Sequence, residues 1–255
     1  MPWRNTSDPY KILVSEVMLQ QTQVDRVRTK YNEFLKKFPN VKALASAPLG
    51  DVLRVWSGLG YNRRAKYLHE CAKKVVSEYG GKFPRTFSEL TTLPGIGMST
   101  AGALLAFSFG EDTPMIDTNI RRILVRVFFK RIPTDKALYD FASALIPKRK
   151  GRAWNYAMLD LGATLCGARN HSALCPLTPL HGKVGDFVYK KPQKKFAGSD
   201  RFYRGRILAR LTLGPATQML LYKELKRDEE YVDLLLRKLL RENLVVVKDA
   251  QYTLP

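Results

Sequence analysis

The stretch LPGIGMSTAGALLAFSFGEDTPMIDTN, residues 93–119, sets two devices close together. Gly95 and Gly97 make a tight turn that opens a helix, and glycine permits positive φ and close approach of another backbone. The helix from Met98 onward offers unpaired N–H groups and a positive dipole end to an anion. The amides of Gly95, Gly97 and Ser99, together with the Thr100 hydroxyl, converge on one phosphate group in this reading. Such contacts position a nucleic acid without reading its sequence. Asp117 follows at short range and supplies a carboxylate. A phosphate backbone held near an ionisable side chain points to chemistry on nucleic acid.

A two-glycine turn alone is often only a turn, and composition adds the weight. Lys and Arg number 43 against 23 Asp and Glu, a net charge of +20, and the pI is about 10.0. An excess of that size favours a polyanionic partner, in a soluble protein usually nucleic acid. The chain has no long uncharged apolar run and no signal-like N-terminus, which argues against a membrane. Its 255 residues allow one large domain or two small ones. The three cysteines are widely spaced and form no disulfide framework, so a reducing compartment is expected. That compartment is the cytoplasm, at the nucleoid, in a bacterium, and the nucleus or an organelle in a eukaryote.

Outward from the turn, residues 9 to about 185 carry helical periodicity nearly throughout. Tyr10, Leu13, Val14, Val17 and Met18 form one apolar stripe, and Leu68, Cys71, Ala72, Val75 and Val76 another. Residues 186–198, with KKPQKK at their centre, read as a basic linker between a domain over 1–185 and a second over 199–255. The second domain shows three short helical patterns, then two alternating segments around Asp249-Ala250, an order that suggests a winged helix.

The motifs LPGIGMSTAGA and MIDTNIRRIL resemble those of the helix-hairpin-helix base-excision DNA glycosylases. DPYKILVSEVMLQQTQV and WSGLGYNRRAKYLH are similar to the MutY-type adenine glycosylases in particular, and the motifs match in order over residues 3 to about 177. The resemblance implies a mainly α fold of two helical lobes with a cleft. The small C-terminal winged-helix-like domain would be an addition to it.

A glycosylase needs an acid for the departing base, negative charge beside the cationic sugar and a pocket for the flipped nucleotide. Glu16 matches the family glutamate that protonates adenine. It stands between Leu13-Val14 and Val17-Met18, a poor place for a merely solvated charge, and burial there would raise its pKa. Asp117 matches the aspartate that stabilises the sugar cation, and it is also a favoured N-cap for the helix that follows. Asn119 would bond around Asp117. Trp3, Arg4 and Asp160 fall where the family lines its adenine pocket, although Trp3 reads equally well as a hydrophobic anchor. Ser99 stands at the hairpin position that carries a lysine in strand-cleaving relatives, which implies a monofunctional enzyme. Gln20, Gln21 and Thr22 match the segment that reads the base opposite the adenine. Leu59 and Tyr61 match a loop that wedges into the duplex. Met98 and Thr100 join Gly95 and Gly97 as DNA contacts.

The chain departs from the family in three places. Where four cysteines usually hold an iron–sulfur cluster, it has Cys166 and Cys175, with Ser172 and His181 at the other positions. A [4Fe–4S] cluster wants four thiolates, so none is expected. Zinc on Cys166, Cys175 and His181 lacks a fourth ligand and is disfavoured. The helix that usually precedes the Pro-Trp pair is absent or lies outside this sequence. The third departure is that 199–255 is too short for the Nudix-like domain that recognises 8-oxoguanine.

The resulting expectation is a monomeric, monofunctional glycosylase that hydrolyses adenine mispaired with 8-oxoguanine or guanine in double-stranded DNA, without a metal or cofactor. The alternatives are a thymine or uracil glycosylase acting on mispairs with guanine, and a non-catalytic DNA-binding regulator.

Overall fold

A computed structural model describes residues 1–167, 174–180 and 195–255. The fold is mainly helical. A 3₁₀ turn over Pro2–Asn5 leads into α1 (Pro9–Leu19), α2 (Val24–Lys37), α3 (Val41–Ser46), α4 (Leu49–Trp56) and α5 (Arg63–Tyr79). Then come α6 (Phe87–Thr91), α7 (Met98–Ser108), α8 (Thr118–Phe128), α9 (Asp135–Leu145) and α10 (Gly151–Thr164). Beyond residue 195 stand α11 (Asp200–Leu211), α12 (Gln218–Leu225) and α13 (Glu229–Arg241), with strands β1 (Val246–Lys248) and β2 (Gln251–Thr253).

Helix α1 is the central rod of the larger lobe. Asp8 caps it by accepting from the Tyr10 and Lys11 amides, and seven of its eleven residues are buried. A helix apolar nearly all round must be enclosed by others, and α2, α5 and α7 do so. The second lobe has its own apolar cluster of Ile120, Leu124, Val125, Leu138 and Ala142, drawn from α8 and α9 and covered by α10 residues. Close approach between elements depends on small residues. A Cβ on Gly102 of α7 would meet the Pro114 carbonyl at 2.3 Å, and one on Gly162 of α10 would meet Asn119 Cβ at 2.7 Å.

The three C-terminal helices pack on one another, and β1 and β2 pair antiparallel from Val246↔Thr253 to Lys248↔Gln251. This is the helix and hairpin order expected of a winged helix. Their core is continuous with that of the larger lobe. The chain end is stitched to α4, where the Gly50 amide donates to the Pro255 carbonyl at 2.8 Å. The 186–198 segment read as a linker lies outside the described residues except for its last four positions.

Candidate active site

The hairpin between α6 and α7 begins with a Leu93–Ile96 turn closed by the Ile96 amide on the Leu93 carbonyl at 3.1 Å. Pro94 and Gly95 occupy its centre and Gly95 has φ +77°, as a type II turn requires. A Cβ on Gly95 would also lie 2.8 Å from Tyr67 Cβ, so glycine is demanded twice. Gly97 is the N-cap of α7 and no side chain caps that end. Gly97 and Met98 are exposed and Ser99 half-buried, so the first-turn amides face outward as expected. Thr100 is buried, because its place in the first turn faces the core.

Asp117, 20 residues beyond Gly97, is the N-cap of α8. Oδ1 accepts from the Asn119 and Ile120 amides at 2.9 and 2.8 Å, and Oδ2 accepts from Asn119 Nδ2 at 3.1 Å. Burial pushes the Asp117 carboxyl above its ordinary range, against the opposing pull of these bonds and of Arg122. The cap reading holds, and its geometry is compatible with a reactive carboxylate: the helix end fixes Oδ1 with two amides and leaves Oδ2 with the Asn119 side chain alone.

Glu16 is half-buried on α1, between the buried Ser15 and Val17. Desolvation, with the Asp117 charge adding to it, pushes its carboxyl up to about 8. The chain thus places two carboxyls 101 residues apart in sequence close enough to interact, both pushed up by burial and Glu16 as far as about 8. Carboxyls perturbed in this way cluster at functional sites.

Arg4 and Asp160 also meet across the chain, paired through two bonds of 2.8 and 2.6 Å. The Arg4 guanidinium lies 4.6 Å from the centre of the Tyr156 ring, and Tyr156 stacks on Phe107 at 4.3 Å with 6° between planes. Tyr156, one helical turn before Asp160, also feels the Glu16 charge. It forms a wall between the acid and the Arg4–Asp160 pair that sequence reading missed, and its only signal was the four-residue spacing to Asp160. Trp3 is buried, edge-on to Tyr31 at 5.4 Å, in the place of the hydrophobic anchor.

Gln20 and Gln21 are exposed, Thr22 is half-buried, and Gln21 has φ +58°. Tyr61 is exposed with φ +47°, whereas Leu59 is 3% exposed. Of the two residues expected to wedge, Leu59 is turned into the core by the turn around Gly58 and Gly60, and Tyr61 alone is presented. The residue that joins these loops is Arg64. Its Nη1 donates to the Val17, Met18 and Gln20 carbonyls, and its Nη2 to Thr22 Oγ1 and the Leu59 and Gly60 carbonyls, all within 2.6–3.1 Å. Burial lowers its pKa to about 10, so the guanidinium stays charged at neutral pH. Sequence reading did not single it out, since one arginine of a basic pair carries no mark of burial.

The family model for HhH-GPD superfamily base excision DNA repair proteins matches residues 14–148, which span Glu16, the hairpin, Asp117 and Asn119. The chain belongs to this superfamily. The resemblance found in its motifs therefore holds, as does the mainly helical glycosylase fold. Adenine DNA glycosylase of Mycolicibacterium smegmatis is 38% identical over 216 residues, covering 82% of this chain and 74% of that protein. The same enzyme of Mycobacterium tuberculosis is 36% identical over 271 residues, covering all of this chain and 88% of that one. Against the Buchnera aphidicola adenine DNA glycosylase, 36% identical over 212 residues, this chain spans 60% of the relative's length. Among solved structures, a thermostable thymine-DNA glycosylase aligns with TM-score 0.67 at 32% identity, over 71% of this chain and 86% of that one.

Cys166 is buried with Ile123 and Cys175 in a small apolar cluster. Its carbonyl accepts from Arg122 at 2.7 and 2.9 Å, and Arg126 approaches its sulfur at 3.7 Å. The third cysteine, Cys71, is buried in α5. Ser172 and His181 lie outside the described residues. Two thiols set among aliphatic side chains do not fit the four-thiolate requirement of an iron–sulfur cluster.

Proposed function

We propose that this protein is a monofunctional adenine DNA glycosylase of base excision repair, acting on adenine mispaired with 8-oxoguanine or guanine in double-stranded DNA. The observation that carries the reading is the Glu16 carboxyl, held protonated to about pH 8 beside Asp117. The superfamily and the adenine glycosylase relatives support it.

The hairpin amides hold the phosphodiester backbone, and the flipped adenine enters the space bounded by Glu16, Tyr156 and the Arg4–Asp160 pair. Glu16 transfers its proton to a ring nitrogen of the adenine, which turns the base into a neutral leaving group as the C1′–N bond breaks. The sugar becomes an oxocarbenium ion, and the Asp117 carboxylate stabilises that charge where water is scarce. Asn119 keeps Asp117 oriented, and water then completes the hydrolysis at C1′. With Ser99 in place of a lysine, no amine at the hairpin forms a Schiff base, so the strand stays intact.

The enzyme works as a monomer, in the nucleoid of a bacterium or in the nucleus or an organelle of a eukaryote. It needs no metal: α8, α10 and the residue 166–167 turn are held by Arg122, Arg126 and aliphatic packing. Purified protein would then contain no stoichiometric iron or zinc by elemental analysis, and bound iron would overturn this point.

Duplexes carrying A:8-oxoG, A:G, T:G and U:G, treated with protein and then with alkali, test the reading. Strand breaks at adenine that depend on alkali and vanish in Glu16→Gln and Asp117→Asn are the expected result. Excision of thymine opposite guanine is the second reading, favoured by the 32% identity to the thymine-DNA glycosylase. Breaks without alkali would contradict monofunctional action, and tight binding with every duplex intact would support a regulator.

A further inference from the structure

Arg152, Tyr156 and Asp160 follow one another at four-residue spacing on α10, so they share one face of the helix. All three engage the N-terminal turn or its side chains. Asp160 pairs with the Arg4 guanidinium, and the Tyr156 ring lies under it. Arg152 takes the backbone: its Nη2 donates to the Arg4 and Thr6 carbonyls at 2.9 and 2.8 Å. Its Nη1 donates to the Phe107 carbonyl, near the end of α7, at 3.2 Å. The same guanidinium lies 5.8 Å from the centre of the Tyr156 ring. One planar fork thus joins the N-terminal turn, α7 and α10, which a lysine ammonium cannot match.

The turn has little to hold it in place by itself. It is four residues long and no side chain caps it. The Arg4–Asp160 pair is open to water, with 26% and 54% of its side chains exposed, and such a pair fixes a segment weakly. Helix α10, by contrast, is firmly set at its Arg152 end. Asn155 is fully buried, accepts from the Met115 amide and donates to the Thr113 carbonyl, and Asp112 accepts from the Gly151 amide. Arg152 therefore passes a fixed position to a segment anchored otherwise by the buried Trp3. The clamp also reaches the start of the helix that carries Glu16, because the amide of its cap, Asp8, donates to Thr6 Oγ1 at 3.1 Å.

We propose that Arg152 is a positioning residue for the base pocket: by holding the Arg4 and Thr6 carbonyls it sets the Arg4 side chain over Tyr156, where the flipped base is received. It acts through Arg4 and not by contact with the base. A wall fixed in advance spares the ordering that binding would otherwise cost, and it aligns the base for reaction. Loss of Arg152 therefore weakens the hold on the base and leaves the hold on the DNA backbone intact. The inference rests on the glycosylase reading, which supplies the flipped base.

The test uses the full chain and two duplexes, both with 8-oxoguanine opposite the target position. One carries 2′-fluoro-deoxyadenosine, whose fluorine disfavours the sugar cation and so blocks cleavage. The other carries an abasic tetrahydrofuran there. The ratio of their dissociation constants isolates what the base contributes. Arg152→Met is expected to lower the preference for the base roughly tenfold and to leave the abasic affinity unchanged. Arg152→Lys keeps a donor for the Arg4 and Thr6 carbonyls, should fall between, and carries the test if the methionine variant does not fold. Single-turnover excision of adenine should drop by up to about 10²-fold in Arg152→Met. In an Arg4→Met background the Arg152 change should add no further loss, because both act through one contact. An unchanged preference for the base, an equal loss of affinity for both duplexes, or additive losses in the double variant would overturn the proposal. Adenine excision by the wild type beside any of those failures removes the Arg152 assignment and leaves the function standing. A preference for the base that depends on Arg152, in a wild type that excises nothing, removes the function and keeps the pocket assignment.

Discussion

Arg122 donates from Nη2 to Asn119 Oδ1 at 2.9 Å, and that bond decides which way the Asn119 amide faces. With its oxygen turned to Arg122, its nitrogen reaches Asp117 Oδ2 at 3.1 Å. The same guanidinium holds the Gly162 and Cys166 carbonyls, so α10 and the turn beyond it support the orientation of the Asp117 carboxyl.

Arg122→Lys should therefore slow base excision in single turnover while leaving DNA affinity nearly unchanged. A lysine cannot span three acceptors in a planar fork, and loss of a supporting partner of this kind costs roughly 10–100-fold. An unchanged rate would show that Asn119 is held without it.

Gly162→Ala would press a methyl group 2.7 Å from Asn119 Cβ. Both helices are buried at this contact, so α10 must move away from α8. Destabilisation of about 1–3 kcal/mol is expected, with a lower excision rate. Thermal unfolding beside single-turnover kinetics reads both.

Glu16 has a folded pKa of about 8 against an ordinary 4.5. Between these values the folded protein binds more protons than the unfolded chain, so stability falls as pH rises, by up to about 1.4 kcal/mol per unit. Glu16→Gln removes that dependence. It should be more stable than the wild type above pH 5, by a margin that grows to about pH 8 and then levels. Activity should drop by at least ~10²-fold in the same variant. Wild-type excision should decline above pH 8 as the acid form is lost, and a flat alkaline limb would remove Glu16 from the acid role.

Arg64→Met keeps the aliphatic stem and leaves the acceptors of both loops without their donor. Destabilisation of order 3 kcal/mol is expected, along with weaker discrimination between bases opposite the adenine, because Gln21 and Tyr61 lose their shared anchor. Urea unfolding and a comparison of A:8-oxoG with A:T binding would show it.

Ala250 sits at φ +59° and Asp249 at φ +49° in the β1–β2 turn. Both central residues of such a turn need positive φ, and alanine is strained there by roughly 1–2 kcal/mol. Ala250→Gly should stabilise the protein by up to about 1 kcal/mol with excision unaffected. A lowered melting temperature would refute the strain.

Glu16, Asp117, Asn119 and the hairpin stand out in the sequence because each depends on local chemistry. A glycine turn before a helix, an aspartate at a helix start and an acid on an apolar stripe can all be read within a dozen residues. The burial of Thr100 and Leu59 was not legible for the reverse reason. Each lies inside a well-read motif, but which face of a turn points inward depends on what packs there. Arg64, Arg122 and Tyr156 left almost no trace, since their partners lie up to 47, 44 and 152 residues away.

The sequence by itself determined the helical class, the glycine turn before α7 and the pair of carboxyls, because these follow from φ, periodicity and residue type. Only the tertiary structure decided that Glu16 and Asp117 come close enough to interact, with burial pushing both carboxyls up. It alone brought α11 against the Gln21 and Tyr61 loops. Both are matters of burial and of charges meeting across long stretches of chain, and the desolvation that produces them exists only once the helices have closed around the site.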